Sequence, residues 1–333
     1  MSNFVKIISI ILIVFCAIAG WTFIDYQRFL KKPVIDQQSI LLEIEKGQSF
    51  RQITDKLRQK GVAIKPVWFR LLAYQKNLTQ KIKTGEFVLN PGITPTELLA
   101  ILVAGKSKQY AITFPEGWTF TQIRHEIEKA SNIKQTLKGL DEKTVLKQIG
   151  AKEDHPEGLF FPDTYYFEKN MTDVALLKRA YQKMHQVLEQ EWQNREKNLP
   201  LKSAYEALIL ASIIEKETGK VSERPTIAGV FIRRLRKGML LQTDPTVIYG
   251  MGKAYKGNIR YKDLKKPTPY NTYVIKGLPP TPIAMPGKAA IHAALHPEPG
   301  DSLYFVSRGD GSHVFSATLS KHNKAVNIYQ RKK

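Results

Sequence analysis

Leu208-Ile209-Leu210-Ala211-Ser212-Ile213-Ile214-Glu215-Lys216-Glu217-Thr218 is the stretch on which the reading of the whole chain turns. From Ala207 to Ile214 only Ser212 is polar, and a helix without a polar face belongs at the centre of a domain. Two carboxylates then close it. Glu is among the residue types least often fully buried, so an acid at the foot of such a helix has two readings. In one, the helix has reached the surface and the acids are solvated, because buried unpaired charge is costly. In the other, a carboxyl group sits in a half-dry cleft with its pKa raised for proton transfer. Periodicity places Glu217 below Leu210, Ile213 and Ile214, whereas Glu215 falls below Leu208, Ala211 and Ser212.

Ahead of this helix the chain falls into segments. Residues 7–24 carry no charge and are long enough to span a bilayer. Trp21 and Phe23 sit where an aromatic belt lies. Ala17-Ile18-Ala19 resembles a signal-peptide cleavage site, but apolarity continues past it to Ile24, which favours an uncleaved anchor. Lys6 before the span and Arg28, Lys31 and Lys32 after it leave the orientation unsettled. Residues 26–38 read as a tether. A strand, turn-glycine, helix pattern then recurs around Gly47, Gly92 and Gly117, with apolar residues at helical spacing after each. Ser49, Thr94 and Thr119 stand where N-cap residues belong. Such units form a plain α+β module or, since LysM-like domains use the same grammar, a glycan-binding one.

Residues 132–156 are polar and suggest two helical stretches. Asp163, with Tyr165 and Tyr166, either caps a turn or lines a sugar cleft. Asp173 to Lys197 has the spacing of a long amphipathic helix. After the central helix, Ser222 reads as a fresh N-cap, and the basic cluster ending at Lys237 as a solvated helix end. Beyond Gly238 the texture is that of loops and short strands, rich in amide, hydroxyl and aromatic groups that suit a sugar.

A chain of 333 residues with 43% hydrophobic and 24% charged residues has material for two folded domains and appendages. Its formal net charge of +21 favours an anionic partner: nucleic acid, an anionic membrane or a wall polymer. The single cysteine, Cys16, lies in the apolar segment, which excludes a disulfide within the folded domains and any cysteine metal site. No phosphate-binding glycine loop, His-Glu-x-x-His or Gly-x-Ser-x-Gly occurs. His292, His296, His313 and His322 match no metal-site spacing, so neither metal nor cofactor is expected. No nucleic-acid-binding signature is present.

The run Ala211-Ser212-Ile213-Ile214-Glu215-Lys216-Glu217-Thr218 does not stand alone. With Glu157-Gly158, Phe161-Pro162-Asp163-Thr164-Tyr165, Ser222-Glu223-Arg224, Leu241-Gln242-Thr243-Asp244-Pro245, Tyr270-Asn271-Thr272-Tyr273, Gly277-Leu278-Pro279-Pro280 and His322-Asn323, it resembles the YceG-like (MltG) endolytic murein transglycosylases over nearly the whole chain. Thr281 between Pro280 and Pro282 departs from the glycine the family often has there. The resemblance implies an inner-membrane, single-pass protein with its catalytic part outside the cytoplasm, in the periplasm. It implies endolytic cleavage of the MurNAc-β-1,4-GlcNAc bond in nascent peptidoglycan strands, leaving 1,6-anhydroMurNAc ends and so limiting glycan elongation. It implies Glu217 as the single catalytic acid/base, with Glu215 and Glu223 structural. Gln242, Thr243, Asp244, Tyr249, Tyr270 and Asn271 are the candidate cleft residues; Asp244 has turn-capping as its plainer reading.

The expected fold is α+β, with one N-terminal transmembrane helix, a small LysM-like module and a mixed α+β catalytic domain around a buried helix. The boundaries are a cytoplasmic tail 1–6, span 7–25, tether 26–38, LysM-like module 39–107 and catalytic domain 108–333. Peptidoglycan strands and the membrane are the expected partners, peptidoglycan synthases candidate ones, and nucleic acid none. The rival is a non-catalytic, membrane-anchored scaffold that holds glycan.

Overall fold

The computed structural model describes residues 3–330. Residues 1–2 of the expected tail and 331–333 of the expected catalytic domain lie outside the described residues. The chain is mixed α+β and divides into two compact units. The first runs to Tyr110 and takes back Phe167–Lys169; the second holds Ala111–Tyr166 and the chain from Asn170 onward.

The first unit opens with α1 (Asn3–Lys31). Its apolar residues are exposed over most of that length, and Phe4–Lys31 is long and apolar enough to cross a membrane. Residues 26–38 are not a free tether. Tyr26 and Phe29 continue the helix with their side chains buried, and Val34 and Ile35 follow them into the same core. Backbone bonds from Val34 N to Ile93 O (2.8 Å) and from Ala63 N to Val34 O (2.8 Å) fix the stretch after the helix. The polar surround of Arg28, Lys31, Lys32 and Pro33 hides this burial in the sequence.

β1 (Ile40–Ile44), α2 (Phe50–Gln59), α3 (Pro66–Gln75), β2 (Gly85–Leu89) and α4 (Pro95–Ala104) complete the unit. β1 and β2 pair antiparallel, with Leu42 opposite Phe87. Ser49 and Thr94 cap α2 and α4 as capping boxes, each hydroxyl accepting from the backbone N–H three residues on and each cap N–H bonded by Gln52 or Glu97. Ile53 and Leu57 of α2 and Leu98 and Leu102 of α4 supply the buried faces, as their spacing requires.

β3 (Gln109–Thr113) leads into α5 (Phe120–Lys129), whose cap Thr119 makes the same box with Gln122. Then come β4 (Ile133–Lys134), α6 (Glu142–Ile149), β5 (Thr164–Glu168), β6 (Met171–Thr172) and α7 (Asp173–Gln193). β3 pairs with β5 and β4 with β6. Between 132 and 156 only one helix, α6, is found among the described residues. The first stretch expected to be helical gives its backbone to Asp173 instead, whose carboxylate accepts from Thr136 N and Leu137 N at 2.8 Å each.

The centre of the second unit is α8 (Ala204–Glu217), capped by Ser203 and buried continuously from Ala207 to Ile214. α9 (Arg224–Arg236) follows a short 3-10 turn; Glu223, not Ser222, holds its N-cap position, with Pro225 in the first turn. α10 (Asp244–Met251) is a helix where loops and strands are expected, since Pro245 opens it at a position that needs no N–H. α11 (Tyr261–Leu264), α12 (Lys288–Leu295), β7 (Tyr304–Ser307), β8 (His313–Ser316) and α13 (Leu319–Tyr329) close the chain. α7, α9, α10 and α12 all pack on α8 or on its partners. Ser212, its one polar interior residue, accepts from Ile283 N at 3.0 Å and donates to Ile209 O at 2.7 Å, pinning the loop before α12.

Candidate active site

Glu217 is the last residue of α8, and Thr218 leaves the helix in an extended conformation. The helix core above it is dry, and its carboxyl group is enclosed by protein. Desolvation pushes its pKa up to about 7, helped by the Asp244 carboxylate and opposed by a hydrogen bond from Thr243 and by the Arg234 guanidinium. Thr243 donates its hydroxyl to Glu217 Oε1. That hydroxyl is held by a buried threonine cluster: Thr243 N donates to Thr272 Oγ1 (3.1 Å), and Thr246 Oγ1 bonds both Thr243 O (2.8 Å) and Thr272 Oγ1 (2.9 Å). The residue before it, Gln242, sits at φ 51°, a left-handed conformation that costs a non-glycine residue roughly 1 kcal/mol or more.

Glu217 opens onto a cavity of about 410 Å³ within the second unit, whose walls include Arg234, Gln242, Asp244, Tyr273, Tyr304 and His322. Asp244, exposed at the first turn of α10, accepts from Tyr273 Oη at 2.6 Å. His322 stacks on Tyr304 with ring centroids 5.3 Å apart, and burial followed by the Arg234 charge pushes its pKa down. An acid with a raised pKa, a second carboxyl group, a guanidinium and aromatic faces thus share one polar cavity. That set can protonate a leaving oxygen and hold a sugar.

The chain matches the YceG-like family over residues 42–328. It belongs to the YceG-like family. It is 34% identical to the endolytic murein transglycosylase of Bacillus subtilis strain 168, over 94% of this chain and 91% of that one. It is 28% identical to the endolytic murein transglycosylase of Streptococcus pneumoniae strain D39, over 97% of this chain but only 65% of that protein's length. Among solved structures, a YceG-like protein of Listeria monocytogenes matches at 31% identity with a TM-score of 0.53, covering 86% of this chain and 98% of that one.

Within this YceG-like chain the six candidate cleft residues separate. Gln242 and Asp244 line the cavity with Glu217, and Thr243 stands behind the carboxylate. Tyr249, Tyr270 and Asn271 are not among the cavity walls. Tyr249 Oη donates to Glu157 at 3.1 Å and its ring packs edge-on against Tyr270. Tyr270 Oη is paired with Thr281 Oγ1 at 2.8 Å. Asn271 is buried and spends its amide on the carbonyls of Asp263, Leu264 and Lys266, which makes it a loop organiser. Asp163 pairs with Lys183, and Tyr165 is buried with its hydroxyl on Phe161 O (2.6 Å), so neither faces this cavity.

Glu215 is bound by Arg224 Nη2 at 2.7 Å and by Gly287 N at 2.9 Å, and Glu223 by His313 Nδ1 at 2.8 Å. Both are ties between segments. The basic cluster is a solvated helix end only in part: Arg236 and Lys237 are exposed, Arg233 and Arg234 are not. Arg234 is buried and donates to Leu303 O (2.6 Å) and Leu241 O (2.8 Å), while Arg233 holds Ser302 O (2.7 Å). Arg234, Tyr273, Tyr304 and His322 are polar or aromatic cavity residues that sequence reasoning did not assign; Tyr273 and His322 sit in the motifs that carry the family resemblance. Away from the cavity, ligand-capable atoms of Glu191, His292 and His296 lie within 4.8 Å of one another, but the Lys288 ammonium is 3.6 Å from the same carboxylate and opposes a cation.

Proposed function

We propose that this chain is a membrane-anchored endolytic peptidoglycan lytic transglycosylase with Glu217 as its single acid/base. One observation carries the reading: of the two acids at the foot of the buried helix α8, Glu215 is tied to Arg224 and Gly287, whereas Glu217, with its pKa raised to about 7, faces a polar cavity. The names of the Bacillus and pneumococcal relatives supply the substrate class. At neutral pH a share of Glu217 is protonated, as an acid catalyst requires. It donates its proton to the oxygen linking MurNAc C1 to GlcNAc C4, and the C1–O bond breaks. The C6 hydroxyl of the same MurNAc then bonds to C1, and the Glu217 carboxylate takes its proton. No water is consumed, so no second carboxylate is needed for attack, unlike in ordinary glycosidases. Asp244 sets a carboxyl group in the same cavity as the developing cation at C1, and Thr243 orients the acid.

In this reading α1 holds the protein in the inner membrane with the second unit outside the cytoplasm. The antiparallel β1–β2 pair with α2 and α3 between its strands supports a LysM-like module over 39–107, and the +21 charge suits the carboxylates of wall peptides. The test is end-group chemistry on purified glycan strands. The wild type should yield 1,6-anhydroMurNAc ends, and Glu217→Gln should lose at least about a thousandfold in rate while keeping its fold, as expected for removal of an acid whose group transfers the proton. Reducing MurNAc ends would instead show that Asp244 delivers water, and activity retained by Glu217→Gln would sink the assignment.

A further inference from the structure

The uncharged run of α1 ends at Ile24, and the next residue, Asp25, is where α3 meets it. Asp25 accepts from Lys65 Nζ (2.7 and 2.9 Å) and from Trp68 Nε1 (2.8 Å). One residue on, Tyr26 Oη donates to Gln75 Oε1 at 2.6 Å and its ring lies 5.4 Å from that of Trp68. Two successive residues of α1 therefore touch both ends of α3, which are about 15 Å apart along its axis. α3 lies across α1, not along it.

The direction of its faces follows. Phe69, Leu72 and Ala73 are buried in the core of the unit. Opposite them stand the exposed Val67, Arg70 and Tyr74, with Leu71, partly buried against the core, at the edge of the same helical stripe. Val67 and Tyr74 are each 73% exposed, unusual for such side chains in a folded unit. α1 enters the core with Tyr26 and Phe29, and its apolar run leaves the other way. A helix lying across α1 with its inner face on that core turns its outer face back toward the run. Grooves flank it on both sides. One, of about 880 Å³, includes Arg51, Arg58 and Arg70; the other, of about 610 Å³, runs from Phe23 of α1 past Leu71 to Lys76.

We propose that α3 rests on the phospholipid surface of the bilayer that α1 crosses. Val67, Leu71 and Tyr74 enter the boundary between headgroups and acyl chains, and Arg51, Arg58, Arg70 and Lys76 meet lipid phosphates. Apolar stripes flanked by basic residues bind anionic bilayers in this way, and Trp68, half-buried beside Asp25, stands where amphipathic rings mark the interface. The occupant is fixed by continuity: the stripe begins one helical contact from the last residue of the span. The proposal rests on the reading of α1 as an anchor.

The experiment uses the full chain in vesicles containing phosphatidylglycerol. Cys16, the only cysteine, carries a bimane label as the probe of α1. In a Cys16→Ala background, Val67→Cys, Tyr74→Cys and, as reference, the exposed strand position Val88→Cys are labelled in turn. Lipids spin-labelled at headgroup depth should quench positions 67 and 74 about threefold more than position 88, and acyl-chain spin labels should quench Cys16. Equal quenching at 67, 74 and 88 with Cys16 quenched would leave the anchor standing and overturn the surface contact. An unquenched Cys16 would remove the anchor and the proposal with it. Protection of 67 and 74 in cells but not in vesicles would assign the stripe to a protein and also overturn it.

Discussion

Desolvation pushes the carboxyl groups of both Glu217 and Glu157 up to about 7. Access separates them. Glu217 opens onto the cavity, whereas Glu157 is 4% exposed and spends its oxygens on Phe120 N (2.9 Å) and Tyr249 Oη (3.1 Å). Gly158 beside it is needed because a Cβ there would stand 2.5 Å from Pro282, at φ +80°. Thr243 tunes the exposed member of the pair. Its hydroxyl bonds the ionised carboxylate and holds the pKa down, so Thr243→Val, which keeps the shape, should move the alkaline limb of kcat/KM to higher pH. The shift should be about one to two units, since a hydrogen bond to a charged group is worth about 1.5–3 kcal/mol; a pH profile identical to wild type would contradict the role given to Thr243. The same desolvation fixes a sign for stability. Glu217 binds its proton more tightly folded than unfolded, so its contribution is full below about pH 4.3 and is lost as pH rises to about 7. Glu217→Gln should therefore be more stable than wild type at pH 8, by about 1–3 kcal/mol, and no more stable at pH 4. Denaturant melts at the two pH values check this.

At the scale of elements, what the sequence reveals depends on whether the information is local. Ser49, Thr94 and Thr119 each make the capping box their positions require, because a cap is settled within four residues. α8 is legible for a similar reason: eight consecutive buried residues leave no polar face to misread. α10 is not legible, since Pro245 and Gly250 signal a loop until the place of the proline in the first turn is known. Arg234 is the clearest failure of local reading. In sequence it is one of several basic residues at a helix end; in the fold it fastens the distant Leu303 carbonyl to that of nearby Leu241 and lines the cavity. Ser212 makes a testable case of long-range dependence. Ser212→Ala leaves the Ile283 N–H buried without its acceptor, which costs about 1–3 kcal/mol, and loosens the loop that leads into α12. Ser212→Thr, which keeps the hydroxyl but adds a methyl in a site with no exposure, should fare little better, by overpacking. A chemical-denaturation series over the two variants measures both.

The whole molecule is built as two units, and α1, the helix long and apolar enough to cross a membrane, belongs structurally to the first of them, with its end in that unit's core. This decides where the chain tolerates cutting. A chain beginning at Asp25 sheds the exposed apolar run but keeps Tyr26 and Phe29, whose side chains are 9% and 6% exposed in the first core. A chain beginning at Pro33 loses both, along with the bonds from Asp25 to Lys65 and Trp68. Removing a buried phenylalanine alone costs about 3–5 kcal/mol, a large share of the stability of a unit this small. The second unit draws its core from α7, α8, α9 and α12 and should not register the loss. The shorter chain should therefore melt in two steps, with the first unit falling at lower temperature and the second unchanged, while the chain from Asp25 keeps both transitions in place. If instead the chain from Pro33 melts like the chain from Asp25, residues 26–32 are the tether that their charges suggest, and the packing of Tyr26 and Phe29 contributes nothing to the fold.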